Sequence, residues 1–338
     1  MEIQSGRIKT LKRVLDRIND KEFRQYIALY NNPARPQVII NENNKEKGRV
    51  VYLIKEEGKG YGFFAEIEAL LAKLIYADYL GFVPYVWYGE QFALYDNISW
   101  CKNAFEYYFE QISDVKNIGE ERSVVSATFL HGKMIRTNLD GNSYEKSQMY
   151  EEEIIKVWKK YLKIKPEHID KFNKDMCELL DEQKVLSVHY RGTDYKMHYN
   201  KHPKDVEMNQ LINEIDFALD RINYPCIFLA TDDNSCISLL QKRYGKRVKF
   251  YKSTYRADNS TTSLIFSDNS RNNHKYKLGV EVLRDMYTMS MTDGLICGLS
   301  NVPTAAKWYK KSLDETYSYY KQINNGICYN NNSFRRPK

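Results

Sequence analysis

The strongest constraint on the fold is an alternation of short apolar runs and longer amphipathic segments in the second half of the sequence. Each apolar run is continuous, with no polar residue at every second position. A strand of this kind is buried on both faces, which is typical of a parallel sheet covered by crossover helices. We therefore predict a doubly wound parallel sheet for this half. The predicted strands cover residues 184–190, 226–231, 247–251 and 294–299, and the predicted helices cover residues 205–222, 234–244, 279–291 and 303–320.

The first half of the sequence contains a shorter version of the same pattern. An apolar strand at residues 50–55 is followed by a glycine-rich turn, "EGKGYG", then by a long apolar helix and a second strand, "FVPYVWY". The turn matches neither common phosphate-binding glycine motif, so a tight turn into the helix and a ligand-binding loop are about equally supported. Residues 90–150 give no clear pattern. Helical spacing of apolar residues predicts an amphipathic helix over residues 6–30.

A helix break at Lys165 and Pro166 separates the two α/β halves. We predict an α/β fold of two Rossmann-like doubly wound domains that face each other across a cleft. Ligands of such sheets bind outside the carboxyl ends of the strands. The predicted first domain covers residues 1–165 with its N-terminal helix, the second covers residues 166–320, and residues 321–338 form a C-terminal tail.

Composition argues against several other classes of protein. The net charge of +7 comes from basic residues interspersed with acidic ones, which does not indicate a nucleic-acid partner. No apolar run approaches the ~18 residues of a membrane span, and the charged N-terminal segment lacks the apolar core of a secretion signal. The six cysteines are scattered and form no C-x-x-C pair, so we expect reduced, buried thiols.

Polar and charged residues follow three of the strands predicted in the second half. Each has an ordinary structural explanation, since an aspartate after a strand often caps the next helix and a lone arginine or histidine usually has a structural partner. Together they favour an anion site, because arginine binds phosphate in bidentate fashion and a helix N-terminus adds backbone donors. These residues are His189, Arg191 and Asp194 after the first strand, Thr231, Asp232 and Asp233 after the second, and Ser300 and Asn301 after the last.

Three segments in this half resemble the GDP-fucose-dependent fucosyltransferases, in the group of the core alpha-1,6 and nodulation-factor enzymes. "HYRGTDYK" is similar to the H-x-R-[R/G]-x-D segment of that family, and "IFLATDDNSCISLLQKRYG" to its strand–T-D-D–helix element. "LRDMYTMSMTDGLICGLSN" resembles its third element, which ends in S-[S/N]. The order and spacing agree over residues 185–301. In the first half, only the glycine-rich turn and its helix show a weak resemblance.

The resemblance implies a GT-B-like fold and a role for each motif position. Arg191 would hold the β-phosphate of the donor GDP-fucose and stabilise the departing GDP. His189 and Asp285 would flank the guanosine, with Asp285 accepting hydrogen bonds from the guanine edge. Without the resemblance, a mid-helix Asp285 would be taken for a solvated residue. The remaining positions would contact the diphosphate (Ser300 or Asn301) and support the ribose side (Asp232 and Asp233).

The sequence departs from the family at the positions that concern proton transfer. Gly192 stands where several relatives have a second arginine, and Tyr195 and Tyr199 stand where the core enzyme has a lysine and a glutamate. The general base that deprotonates the acceptor hydroxyl is therefore open. The candidates, in order, are Asp194, His198 and Glu66.

The leading hypothesis is an inverting glycosyltransferase that needs no metal or cofactor, because Arg191 supplies the positive charge, and that transfers fucose from GDP-fucose to a glycan hydroxyl. A transferase using another nucleotide sugar and a non-catalytic nucleotide-sugar or glycan-binding relative are the alternatives. Composition suggests a bacterial cytoplasmic enzyme of polysaccharide biosynthesis with a glycan or lipid-linked acceptor, compatible with peripheral association at the inner face of a membrane. Trp87 and Trp100 could stack on sugars, although aromatic residues at this density are usually core.

Overall fold

The computed structural model describes residues 38–40, 50–58, 60–116, 118, 123–126, 150–181, 184–257, 263–267 and 269–332. Two sheets and the helices around them make up this part of the chain. The strands are β1 (Val38–Ile40), β2 (Val50–Lys55), β3 (Val83–Trp87), β4 (Ser123–Ser126), β5 (Val185–Tyr190), β6 (Cys226–Thr231), β7 (Val248–Lys249), β8 (Gly294–Gly298) and β9 (Tyr319–Ile323). The α-helices are α1 (Phe63–Leu80), α2 (Glu151–Tyr161), α3 (Pro166–Leu180), α4 (Met208–Arg221), α5 (Asn234–Tyr244), α6 (His274–Met291) and α7 (Asn301–Ser312).

The first sheet has the strand order β1-β4-β2-β3. β2 runs parallel to both β3 and β4, whereas β1 is antiparallel to β4. The crossover from β2 to β3 is α1, which begins directly after the glycine-rich turn and ends at Gly81, where φ is +67°. The sequence predicted β2, α1 and β3, while β1 and β4 are additions that the polar and irregular flanking sequence did not indicate. The predicted helix over residues 6–30 lies outside the described residues.

The second sheet is entirely parallel, in the order β7-β6-β5-β8-β9. All six residues of β6 and the first five of β5 are buried, which is the two-sided burial that their continuous apolar sequence predicts. In register, His189 lies opposite Ala230 on β6 and Cys297 on β8. The residues that follow these strands therefore emerge at one edge. The predicted mixed α/β architecture with parallel sheets is confirmed.

The chain after β8 differs from its prediction. The helix predicted over residues 303–320 ends at Ser312, because Leu313 closes the last turn and Asp314 takes a left-handed conformation with φ of +61°. Residues Tyr319–Ile323 then form β9, whose aromatic and β-branched residues suit a strand. The boundary predicted at residue 321 for a C-terminal tail therefore falls inside a strand.

The two α/β halves pack against each other through a shared hydrophobic core. The cluster includes Phe63 and Tyr108 from the first half and Leu283 and Trp308 from the second. A Cβ placed on Gly279 of α6 would lie 2.2 Å from the Tyr108 hydroxyl oxygen, so only a glycine admits this ring. The division into domains at residue 165 stays a prediction.

Two further sequence predictions concern the membrane and the cysteines. Within the described residues, no helix has both the length and the apolar character to cross a membrane. All six cysteines are free thiols. Four are buried as predicted, but Cys101 is partly accessible and Cys177 is exposed on α3.

Candidate active site

A cavity of about 270 Å³ lies where the two halves meet. Its first wall comes from the glycine-rich turn and the start of α1, including Gly62 and Phe64. Its second wall comes from the carboxyl ends of β5 and β6 and from the facing parts of α6 and α7. The parallel register delivers these strand ends to one place, as the sequence predicted from the chemistry of the residues that follow them.

Arg191 lies on the cavity wall and is held there by two carboxylates. Its Nε lies 2.9 Å from Oδ1 of Asp194 and 3.2 Å from Oδ2 of Asp232, and its Nη2 donates to Ser263 Oγ at 3.3 Å. The acids raise the pKa of the guanidinium further above its usual value, against the effect of burial. For Asp194, burial alone would raise the pKa. The charge and hydrogen bond of Arg191 outweigh this effect and hold the pKa of Asp194 below its ordinary value. Asp194 is therefore an ionised anchor of Arg191.

Gly192 allows the chain to turn tightly after β5. Its backbone N–H donates to Asp232 Oδ1 at 2.8 Å. A Cβ at this position would lie 2.5 Å from Asp233 Cβ and 2.8 Å from the Tyr190 ring, closer than real side chains approach. A side chain as large as arginine does not fit at this position.

His189 is a buried, neutral imidazole on the cavity wall. Burial, and then the nearby charge of Arg191, lower the pKa of His189 to about 3. Its Nδ1 is buried and makes no hydrogen bond to any described residue. A buried polar atom without a partner costs free energy, and this nitrogen has almost no surface exposed to the cavity.

Asp285, on α6, also lines the cavity and is 8% exposed. Burial raises the pKa of Asp285 to about 6, although Arg284 and Arg256 oppose the shift. Arg284 forms its ion pair with Asp175, at 2.8 Å. Its charge therefore lowers the pKa of Asp285 without an ion pair between the two residues. A buried carboxylate at the cavity wall suits a ligand that presents N–H donors.

The N-terminus of α7 completes the wall. Ser300 is the N-cap residue in extended backbone, and its side chain makes no capping hydrogen bond. Ser300, Asn301 and Val302 all line the cavity. The first N–H groups of a helix have no intrahelical acceptor and carry a partial positive charge, so this end of α7 suits an anion.

Three residues predicted for the site do not line the cavity. Asp233 caps α5, accepting from Ser235 N at 2.9 Å, and pairs with Lys196 at 2.6 Å. The exposed His198 lies 3.1 Å from Asp205. Glu66 faces the glycine-rich turn, where its Oε2 accepts from Glu57 N at 2.8 Å and its Oε1 from Gly58 N at 3.1 Å.

The contacts of Glu66 make it a support of the glycine-rich turn. Burial raises the pKa of Glu66 to about 8, although the backbone donors and Lys73 favour its charged form. The nearby Lys73 is buried and pairs with Glu57 at 2.6 Å. Glu66 and the pair of Glu57 with Lys73 thus hold the described part of the glycine-rich turn from within the protein.

Sequence reasoning missed three cavity residues with acidic or imidazole side chains, Glu68, His202 and Glu281, of which Glu281 is paired with Arg271. Glu68 follows Glu66 by two positions on α1, so the two side chains leave the helix on different faces. His202 lies in irregular chain after β5, where no periodicity applies. The pKa of His202 is lowered overall. Burial is the main cause, the charge of Asp194 opposes it, and the charge of Arg191 adds to it.

The C-terminal segment fixes the position of His202. The N–H of Cys328 donates to the His202 carbonyl at 2.8 Å, and the N–H of Lys201 donates to the Cys328 carbonyl at 2.7 Å. Asn330 also donates to the His198 carbonyl at 2.7 Å. Residues that the sequence predicted to be a tail thus hold one edge of the site.

No metal-binding cluster is formed by the part of the chain that the structure describes. Groups of three or more His, Cys, Asp or Glu side chains in suitable positions do not occur there. Among the described lining residues, Arg191 is the one that carries a permanent positive charge.

The comparisons with known proteins gave matches among solved structures. No protein-family model and no curated protein matches the sequence. Similar structures include NodZ alpha-1,6-fucosyltransferase soaked with GDP-fucose, at 14% identity and a TM-score of 0.46, covering 78% of this chain and 92% of that one. The fucosyltransferase NodZ from Bradyrhizobium is 14% identical with a TM-score of 0.44, over 77% and 92%. POFUT1 in complex with GDP-fucose is 10% identical with a TM-score of 0.41, over 82% and 98%. At this degree of similarity, function has to be argued from the site itself.

Proposed function

We propose that the protein is an inverting, metal-independent glycosyltransferase of GT-B-like arrangement that transfers fucose from GDP-fucose to a hydroxyl of a glycan. The observation that carries the proposal is the cavity wall at the strand ends. There, the anchored guanidinium of Arg191 lies in one cavity with the N-terminus of α7 and with the buried groups of His189 and Asp285. A cation with a helix N-terminus suits a diphosphate, and the buried polar groups suit a nucleobase.

Arg191 and the first turn of α7 would bind the diphosphate. As the bond between the sugar and the β-phosphate breaks, its electron pair leaves with GDP and negative charge grows on the phosphate oxygens. Donors that are already fixed in place stabilise that charge without reorganising. The contacts of Arg191 with Asp194 and Asp232 fix it in this way, which supports a mechanism in which an arginine takes the place of a metal ion.

Asp285 and His189 would recognise the nucleoside. The guanine edge presents two neighbouring N–H donors, and an ionised carboxylate accepts from both. Asp285 has this chemistry in a buried position, and the imidazole of His189 lies on the same cavity wall. Uracil has no such pair of donors, so the arrangement favours GDP-sugars over UDP-sugars.

His202 is the group best suited to take the proton of the acceptor hydroxyl. The acceptor oxygen forms its bond to the anomeric carbon on the face opposite GDP, and its proton passes to the base. Asp194 is a weaker base because Arg191 lowers its pKa, and His198 and Glu66 do not line the cavity. His202 is neutral at neutral pH, and the charge of Asp194 favours the imidazolium that forms.

We expect His202→Gln to lower kcat by roughly 10²–10⁴-fold, the usual contribution of a general base. In the wild-type protein, kcat should fall on the acid side of the ordinary histidine pKa, because protonation of His202 removes the base and the pKa of His202 is lowered by burial. The variant should lose this acid limb while its donor affinity stays the same. Glu68→Gln, which neutralises another ionisable group of the cavity, is the matched control. A large loss of kcat in Glu68→Gln together with a normal kcat in His202→Gln would identify Glu68 as the general base.

The proposed donor is tested by calorimetric titration in the presence of EDTA. We expect GDP and GDP-fucose to bind, GDP-mannose to bind more weakly, and UDP-sugars to give no heat. No heat with any guanine nucleotide would contradict the proposal. Preference for a different GDP-sugar would identify a transferase with another donor. Binding of GDP-fucose without hydrolysis or transfer across a broad acceptor panel would identify a non-catalytic relative.

A further inference from the structure

A second groove, of about 590 Å³, lies on the first half of the chain. None of its lining residues belongs to the lining of the donor cavity, as far as the described residues extend. Its walls are the end of β3, with Tyr85 and Trp87, and the segment from Trp100 to Lys116. This groove has no part in the chemistry proposed above.

Two of the four tryptophans of the sequence are placed in this groove with their indoles accessible. Trp87 is 38% and Trp100 is 57% exposed, whereas Trp158 and Trp308 are 1% and 3% exposed. The ring of Trp100 rests edgewise against Tyr276, at 6.0 Å between centroids, and lies 5.7 Å from that of Tyr107. The sequence favoured core positions for these indoles. In the structure both are partly exposed, and Trp100 is held by its contacts with Tyr276 and Tyr107.

A carboxylate is fixed beside the indoles by amide side chains. Oε1 of Glu106 accepts from Asn103 Nδ2 at 2.9 Å and from Gln111 Nε2 at 2.7 Å. Both amides also donate to the Val86 carbonyl, at 2.8 Å and 3.0 Å, and Gln111 Oε1 accepts from the Val86 N–H at 3.2 Å. No hydrogen bond joins Oε2 of Glu106 to another described residue, and Glu106 lines the groove.

Part of this network has a structural purpose. β3 is at the edge of its sheet, and the amide groups of Asn103 and Gln111 satisfy the backbone groups that an edge strand leaves open. Edge protection does not account for the exposed indoles or for the second oxygen of Glu106. Exposed indoles beside a fixed hydrogen-bond acceptor are suited to a ligand with an apolar face and hydroxyl groups.

We propose that this groove binds a neutral oligosaccharide. The C–H faces of the sugar rings would pack on Trp87 and Trp100, and Glu106 would accept hydrogen bonds from hydroxyl groups. Among the described lining residues, the charges of Lys102, Lys116, Glu106 and Asp114 cancel, so this lining favours neither an anionic lipid surface nor a polyanion. The proposal stands independently of the donor cavity and of the transfer reaction.

Calorimetry with the full chain and no nucleotide tests this groove. The probes are neutral oligosaccharides of two to six sugars, built from glucose, galactose, mannose or N-acetylglucosamine. We expect at least one series to bind the wild-type protein. Trp100→Ala should weaken that binding at least tenfold, and Trp87→Ala and Glu106→Gln should each weaken it at least threefold. Phe217→Ala, which removes another exposed aromatic ring, is the matched control and should bind normally.

The outcomes separate this proposal from its alternatives. Trp100 is 57% exposed, so the variant should stay folded, and a thermal unfolding curve of each variant checks this before the titration. No binding by any saccharide, or equal binding by Trp100→Ala, would overturn the proposal. So would binding of zwitterionic or anionic phospholipid vesicles that is lost in Trp100→Ala while no saccharide binds, since the groove would then be a membrane contact. A failure of the donor titration with normal saccharide binding would overturn only the proposed transfer activity.

Discussion

Arg191→Ala should abolish measurable binding of GDP and GDP-fucose. Removing one partner of a buried, hydrogen-bonded charge pair in a binding site typically costs about 2–5 kcal/mol, which is roughly 30-fold to several thousandfold in affinity. We expect the upper part of that range, because the substitution also leaves Asp194 and Asp232 without their shared cation. The two carboxylates would then repel the diphosphate that the arginine attracts. Calorimetric titration with GDP measures the loss.

Stability has to be measured alongside this binding. Breaking a buried ion pair on one side commonly destabilises a protein by about 3–5 kcal/mol, so Arg191→Ala should also unfold at a lower temperature. Arg191→Lys keeps the charge between the carboxylates but lacks the forked geometry, so it should fold and bind GDP about tenfold or more weakly. Arg243→Ala, which removes an exposed arginine paired with Asp216 at 2.5 Å, is the control for a lost surface pair. GDP affinity within threefold of wild type, both in Arg191→Lys and in folded Arg191→Ala, would show that Arg191 does not bind the phosphates.

Asp285→Asn should weaken GDP binding by about 10- to 100-fold, since a good bidentate contact to a base edge is worth roughly 1–3 kcal/mol. The amide offers one acceptor and one donor where the guanine edge presents two donors. Affinity for a ribose diphosphate fragment without a base should change little. The comparison of GDP with that fragment assigns the effect to base recognition.

The pH dependence of the same residue gives a second readout. The pKa of Asp285 is raised to about 6, so its carboxylate is protonated below that pH and ionised above it. Guanine affinity in the wild-type protein should therefore rise as the pH passes upward through about 6, and this rise should disappear in Asp285→Asn. Because the raised pKa means that ionisation costs folding free energy as the pH rises from about 4 to 6, the apo variant should be no less stable than wild type at pH 7.5. A variant that loses stability and GDP binding together would indicate a structural role for Asp285.

The proposed general base, His202, could not be identified from sequence patterns. His189, Arg191, Asp194, Asp232, Asp285, Ser300 and Asn301 were all chosen from the sequence, and all line the cavity. Parallel strands carry the residues that follow them to one edge, so most of these positions follow from local pattern once the sheet is known. His198 and His202 differ in a way that no pattern records. The backbone at His198 is left-handed, and the His198 imidazole is exposed to solvent. The hydrogen bonds to Cys328 place the His202 imidazole at the cavity.

The same limit applies to Glu66 and Glu68 and to the tryptophans. Both glutamates are buried on one helix, and periodicity alone does not say which face of α1 meets the turn and which meets the cavity. Composition likewise could not separate the accessible Trp87 and Trp100 from the buried Trp158 and Trp308. Each of these distinctions depends on how α1, β3 and their neighbours pack.

Local sequence was enough to predict strands β5 to β8 of the second sheet, the helices between them and the cluster of charged groups at the edge of the sheet. It could do so because continuous apolar runs and strand-end residues are local properties of the chain. Tertiary structure alone decided that Arg191 is clamped between two acids, that Gly192 admits no side chain, and that residues 324–332 hold His202 at the cavity. Each of these features includes a contact between residues about 40 to more than 100 positions apart in the chain, such as the pairs of Arg191 with Asp232 and of His202 with Cys328. Free energies of burial and hydrogen bonding fix such contacts only when the whole chain is packed.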